Sequence, residues 1–161
     1  MHIIGIDPGY DRIGVAIIEK DGSKETLVYS DCFQTPKDLE ISERINLFIN
    51  ELTELIQKYS VEELAIENLF FNQNKTTAMR VAEARGAMIS SAKQCGLIVA
   101  EYNPLQIKQA VTGYGKADKK QVHTMVQQLV KLEDRKYIDD EIDAIAVALT
   151  HSASRTMHAL R

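Results

Sequence analysis

Two short apolar runs end abruptly on a carboxylate: Ile3-Ile4-Gly5-Ile6 on Asp7, and Leu64-Ala65-Ile66 on Glu67. Continuous apolar runs of this length read as strands buried inside a sheet, and Pro8-Gly9 marks the turn that follows the first. An acid closing a central strand is seldom placed there for solubility. Two more acids, Asp140 and Asp143, stand three apart at the start of a helical pattern, about 60° apart around the axis. Carboxylates from two strand ends and one helix face can converge on a point. Four like charges cannot stay ionised there without cations, which predicts a site for divalent metal. All-oxygen donors suit a hard ion such as Mg²⁺. Two such ions about 4 Å apart can cleave a phosphodiester, and Asp7, held by the sheet, is the natural bridge between them. Each acid alone also has an ordinary reading. Asp before Pro-Gly is common turn chemistry, and acids in a helix's first turn suit its dipole.

The rest of the chain alternates in a way that predicts an α/β domain. Residues 2–7, 12–19 and 25–34 read as strands, with Asp21-Gly22 as a hairpin turn. Ile41, Ile45, Phe48, Leu52, Leu55, Ile56 and Tyr59 form a helical stripe, with Asp38 as the expected N-cap. A strand over 62–67 follows, then a polar connection. A helix over 75–94 carries a small-residue row, Ala78, Ala82 and Gly86, and Gly96 terminates it. A fifth strand covers 97–101. Helices follow near 104–112, 118–132 and 139–156. The predicted fold is a mixed five-stranded sheet flanked by helices, one domain over residues 1–161.

Composition constrains this modestly. The chain has 161 residues, 45% apolar and 26% charged, which describes an ordinary globular domain. Its net charge of −4 is unusual for a nucleic-acid binder, but the four acids alone carry that charge. Bound cations would neutralise them. Cys32 and Cys95 have no metal-ligand spacing and read as reduced packing residues. Without a leader-like segment or a membrane-length apolar stretch, the expected location is the cytoplasm.

Several motifs together resemble the RuvC-type Holliday-junction resolvases, members of the ribonuclease H-like superfamily. They are Gly5-Ile6-Asp7-Pro8-Gly9, Ala65-Ile66-Glu67-Asn68-Leu69-Phe70, Ala84-Arg85-Gly86, Gln106-Ile107-Lys108-Gln109, Asp140-Glu141-Ile142-Asp143-Ala144-Ile145-Ala146 and Thr150-His151. They occur in the family's order over nearly the whole chain. The resemblance implies a ribonuclease H-like fold and a homodimer. It implies paired, symmetric, Mg²⁺-dependent cleavage of four-way DNA junctions in recombination and repair, with two metal ions per site and Mn²⁺ as a substitute. The family's catalytic and metal-holding acids fall on Asp7, Glu67, Asp140 and Asp143. It also suggests cooperation with the RuvA junction-binding protein and the RuvB branch-migration motor. Asp7 with Gly14 alone also resembles the first phosphate loop of actin-like ATPases, whose later motifs are not visible here. A junction-binding protein without activity is a further alternative.

For DNA contacts, Lys108, Lys116, Lys119 and Lys120 cluster against one acid, Asp118. If Asp118 caps a helix, its lysines and free N–H groups would welcome a phosphate. By the resemblance, Lys108 and Lys119 match basic residues near the scissile phosphate. Lys120 is an extra charge, and Arg80 and Arg85 are further phosphate candidates. Phe70 is the expected stacking residue for an unpaired base, with Phe71 for packing. Tyr114 is a weaker DNA candidate. His123 reads as helix packing, and His151 lies too far along its helix to be a ligand.

Overall fold

The structure, a computed structural model, describes residues 1–69 and 75–159, apart from the side chains of Lys75 and of residues 156–159. In chain order the elements are β1 (His2–Asp7), β2 (Arg12–Asp21), β3 (Lys24–Gln34), α1 (Ile41–Lys58), β4 (Val61–Glu67), α2 (Lys75–Gln94), β5 (Ile98–Tyr102), α3 (Pro104–Thr112), α4 (Lys119–Leu129) and α5 (Asp139–Ala159). The strands form one sheet in the order β3-β2-β1-β4-β5. β1 pairs antiparallel with β2 and parallel with β4, so the sheet is mixed and β1 lies at its centre.

Strand periodicity decides which side chains face which helices. Ile4, Ile6, Leu64 and Ile66 face one core, with Phe48 and Leu52 of α1 and Met88 of α2. Ile3, Ala16 and Ala65 face the other, with Ile142, Ile145 and Ala148 of α5. By the same alternation, Gly5 and Asp7 share the α5 side with Ile3, and Glu67 shares it with Ala65. α5 sits almost on the backbone there. A Cβ at Gly5 would lie 2.3 Å from the Ala144 carbonyl oxygen, and one at Gly14 would lie 1.9 Å from that of Asp140. Gly14 is therefore the seat of α5, which accounts for the glycine without any nucleotide.

Local details depart from expectation in a few places. α1 is capped at Glu40 rather than Asp38, because the Glu43 carboxylate reaches back to the Glu40 N–H at 3.1 Å. The β2–β3 turn is Gly22-Ser23, one residue on, since Asp21 still pairs with Lys24 and Gly22 takes the positive φ of 58°. β5 is displaced by one residue and α4 stops at Leu129. The buried face of α2 is Ala84, Met88 and Ala92, two residues and about 200° away from Ala82 and Gly86, which are exposed. Met79 is exposed as well, and so is Cys95, whereas Cys32 is buried.

Candidate active site

Asp7 is the last residue of β1 and Glu67 the last of β4, two adjacent parallel strands that deliver both carboxylates to the same sheet end. The first turns of α5, seated on Gly14, bring Asp140 and Asp143 to that end. The convergence is visible in the electrostatics. Asp7 is pushed up to about 8 by burial first, then by Glu67, Asp143 and Asp140, with Lys119 opposing. Glu67 is pushed up to about 7 by burial and Asp143, opposed by Lys108 and Lys119. Asp7 thus lies within electrostatic reach of the other three acids expected from sequence.

Two cations already lean on the α5 acids. Arg12, at the start of β2, forms an ion pair with Asp140. Lys119 Nζ lies 3.0 Å from Asp143 and 3.4 Å from Asp139. Burial disfavours the Lys119 charge, but these carboxylates outweigh it and raise its pKa. Among the described residues, no three His, Cys, Asp or Glu side chains already stand in coordinating positions. Arg12 and Lys119 give a physical reason, since each holds one α5 carboxylate. The donor set nevertheless fits a hard divalent ion. It is all oxygen, and added positive charge would favour the ionised forms of Asp7 and Glu67 against the burial that raises both.

Next to the acids, Glu67, Lys108, Lys119 and Asp143 line a cleft of 210 Å³ between α3, α4 and α5. Lys119 stands at the first turn of α4, where Asp118 caps the helix by accepting from the Gln121 N–H. Lys120 turns away from the cleft and lines a separate groove with Tyr114 and Met125. Arg80 stacks over the Tyr10 ring at 5.6 Å, beside the loop that follows Asp7 rather than at the acids. Phe70 and Phe71 lie outside the described residues.

Three arginines shape the site from behind, Arg85 among them as a structural clamp. Arg85 donates to the Glu67 carbonyl at 2.9 Å and to the Asn68 side chain at 2.6 Å, and it pairs with Glu101 rather than with its neighbour Glu83. It fixes the end of β4. Arg44, buried in α1, holds the Tyr10 carbonyl at 3.1 Å, Thr35, and the Asp11 carboxylate, and so fixes the loop after Asp7. A charged residue four before Phe48, on the apolar stripe, was the signal for it. Arg12 had no such signal.

A mixed sheet in this order, with acids at the ends of β1 and β4 and at the start of α5, places the chain in the ribonuclease H-like class of folds. Comparison with known proteins narrows the class. The family model described as "Crossover junction endodeoxyribonuclease RuvC" matches residues 3–151. The enzyme of that name from Desulfitobacterium hafniense is 44% identical over 154 residues, covering 96% of this chain and 93% of the relative. That from Halothermothrix orenii is 41% identical with the same coverage. Among solved structures, Thermus thermophilus RuvC in complex with Holliday junction substrate superposes with a TM-score of 0.92 at 31% identity, over 98% of this chain and 96% of that one. The yeast mitochondrial Holliday junction resolvase, at 14% identity and a TM-score of 0.67, shares the fold. The chain belongs to the RuvC family of crossover junction endodeoxyribonucleases.

Proposed function

We propose that this chain resolves four-way DNA junctions by paired, symmetric phosphodiester cleavage, with Asp7, Glu67, Asp140 and Asp143 as the catalytic and metal-holding acids. The observation that carries the reading is the delivery of Asp7 and Glu67 to one sheet end by adjacent parallel strands, beside a cleft lined by Glu67, Asp143 and two lysines. Magnesium, when held by these carboxylates, would neutralise them and supply charge to stabilise the pentavalent phosphate transition state. The chain's own residues do the rest. β1 and β4 hold Asp7 and Glu67 rigidly, and Arg85 and Arg44 fix the loops behind them. Lys108 and Lys119 draw the scissile phosphate into the cleft.

A four-way junction has two-fold symmetry, so paired cuts need two sites, and a homodimer supplies them. The exposed Met79, Ala82 and Gly86 of α2 give a surface on which a second copy can approach closely. No helix among the described residues is long and apolar enough to cross a membrane.

A synthetic four-way junction incubated with the protein and Mg²⁺ tests the reading. Symmetric nicks in two opposed strands, with 5′-phosphate and 3′-hydroxyl ends, are expected. Tight junction binding without nicks would instead favour a non-catalytic binder. Lys108→Ala and Lys119→Ala should each lower junction affinity. Each should also reduce the slope of log affinity against log salt by about 1. Unchanged slopes for both would remove them from the phosphate contacts.

A further inference from the structure

A second polar cluster lies inside the protein, on the same two elements that carry Glu67 and Asp143. Glu63 of β4 is only 2% exposed, and a buried carboxylate is costly unless it is paired. It is held by His151 of α5, whose Nε2 lies 2.6 Å from Glu63 Oε2, and by Arg155 one turn further along. On its other side His151 Nδ1 meets the Tyr102 hydroxyl at 2.7 Å. Nε2–H donating to Glu63 and Nδ1 accepting from Tyr102 satisfies every partner with a neutral ring. Burial favours that form by lowering the histidine's pKa, against the pull of Glu63.

The spacing of this cluster is what gives it meaning. Glu63 precedes Glu67 by four strand residues, about 13 Å. His151 follows Asp143 by eight helical residues, about 12 Å. The His151–Glu63 contact is therefore a rung between β4 and α5 below the cleft that Glu67 and Asp143 line. This rung joins the other polar ties of α5 to the sheet, Ser152 with Glu25 and Lys20 and Asp140 with Arg12. Where α5 comes closest to the sheet it rests on Gly5, Gly14, Ala16 and Ala65, with Ile3 and Ile18 as the larger side chains in the same core. The third partner extends the tie. Tyr102 pairs in register with Glu67, its carbonyl accepts from the Asn68 N–H at 2.8 Å, and the adjacent Asn103 caps α3, which carries Lys108.

We infer that His151 is a positioning residue for the reaction: through Glu63 and Tyr102 it sets the height of α5, and hence the placement of Asp143 and Asp140 against Glu67. The inference rests on the metal-holding role proposed above for these acids. Removing a group that orients metal ligands typically weakens metal binding by about 10–100-fold.

The test compares His151→Leu, His151→Gln and Tyr102→Phe with the parent chain. Mn²⁺ binding to the protein alone, kcat and KM on a four-way junction, and thermal midpoint are measured for each. His151→Leu should bind Mn²⁺ about tenfold more weakly and lose kcat with KM unchanged. His151→Gln, whose amide can still donate to Glu63, should recover most of both. A lowered midpoint with parental Mn²⁺ affinity and kcat would make His151 merely structural and overturn the inference. If His151→Leu fails to fold, Tyr102→Phe decides: a loss of Mn²⁺ affinity of a few fold supports the role, and parental values oppose it. A parent chain that binds no Mn²⁺ would sink the metal assignment itself. The positioning claim would then stand or fall on whether kcat drops in Leu and returns in Gln.

Discussion

Asp7→Asn should abolish junction cleavage, by roughly 10³-fold or more, while leaving junction binding intact and making the cation-free protein more stable at pH 8. The two effects share one cause. Asn keeps the shape of the carboxylate at the end of β1 but not its charge, so it cannot help to hold a divalent ion. The stability change follows from the sign of the pKa shift. Asp7 rises from 3.8 to about 8 on folding, so between those values the folded state binds more protons than the unfolded one. Stability from this group is fully present below pH 3.8 and is lost as pH rises through about 8. Glu67, raised from 4.5 to about 7, adds a loss of the same sign. In EDTA, the parent chain should therefore weaken from pH 5 to pH 8, and Asp7→Asn should weaken much less. The variant's advantage at pH 8 should be on the order of 3 kcal/mol. Adding Mg²⁺ should restore the parent and do little for the variant. Denaturation at the two pH values and single-turnover cleavage check both halves. A stability difference independent of pH would refute the raised pKa, and cleavage at the parental rate would remove Asp7 from the chemistry.

Much of this site was legible because strands and helices have fixed periods. Asp7 and Glu67 end apolar runs, and period-2 alternation sends them to one face of the sheet together with Gly5 and Ala65. Asp140 and Asp143 follow from helical spacing. What could not be read were the side chains whose partners are remote in sequence. Arg12 reaches Asp140 across 128 positions, Arg85 reaches Glu67 across 18, and His151 reaches Glu63 across 88. No local pattern marks such pairs; only the folded sheet order brings them together. The small-residue row on α2 shows the limit of spacing alone. Ala78, Ala82 and Gly86 have the spacing of a packed face. Yet burial in α2 follows Ala84, Met88 and Ala92, because the orientation of a weakly amphipathic helix is set by its neighbours. Lys120 shows the same limit. It adjoins Lys119 in sequence, but one residue is about 100° on a helix, enough to send it to another groove.

Gly14→Ala should cost about 3 kcal/mol and, in the same step, disable cleavage about 10²-fold, although residue 14 carries no chemistry. A Cβ there would sit 1.9 Å from the Asp140 carbonyl oxygen and 2.5 Å from its carbonyl carbon. Both atoms belong to the backbone of α5, so no side chain can swing aside to make room. The start of the helix must lift, and Asp140 and Asp143 must lift with it, away from Asp7 and Glu67. Stability and activity should then fall together, unlike Asp7→Asn, where they move in opposite directions. Gly86→Ala is the control. Nothing lies within 4 Å of a Cβ at that position, and it is interior to α2. The identical chemical change should there stabilise the isolated chain by about 0.5–1 kcal/mol through helix propensity. Urea denaturation of the three proteins, with cleavage measured for the parent and Gly14→Ala, separates the cases. A Gly14→Ala protein as stable and as active as its parent would mean that α5 does not rest on the β2 backbone, and the account of how Asp140 reaches the other acids would fail with it.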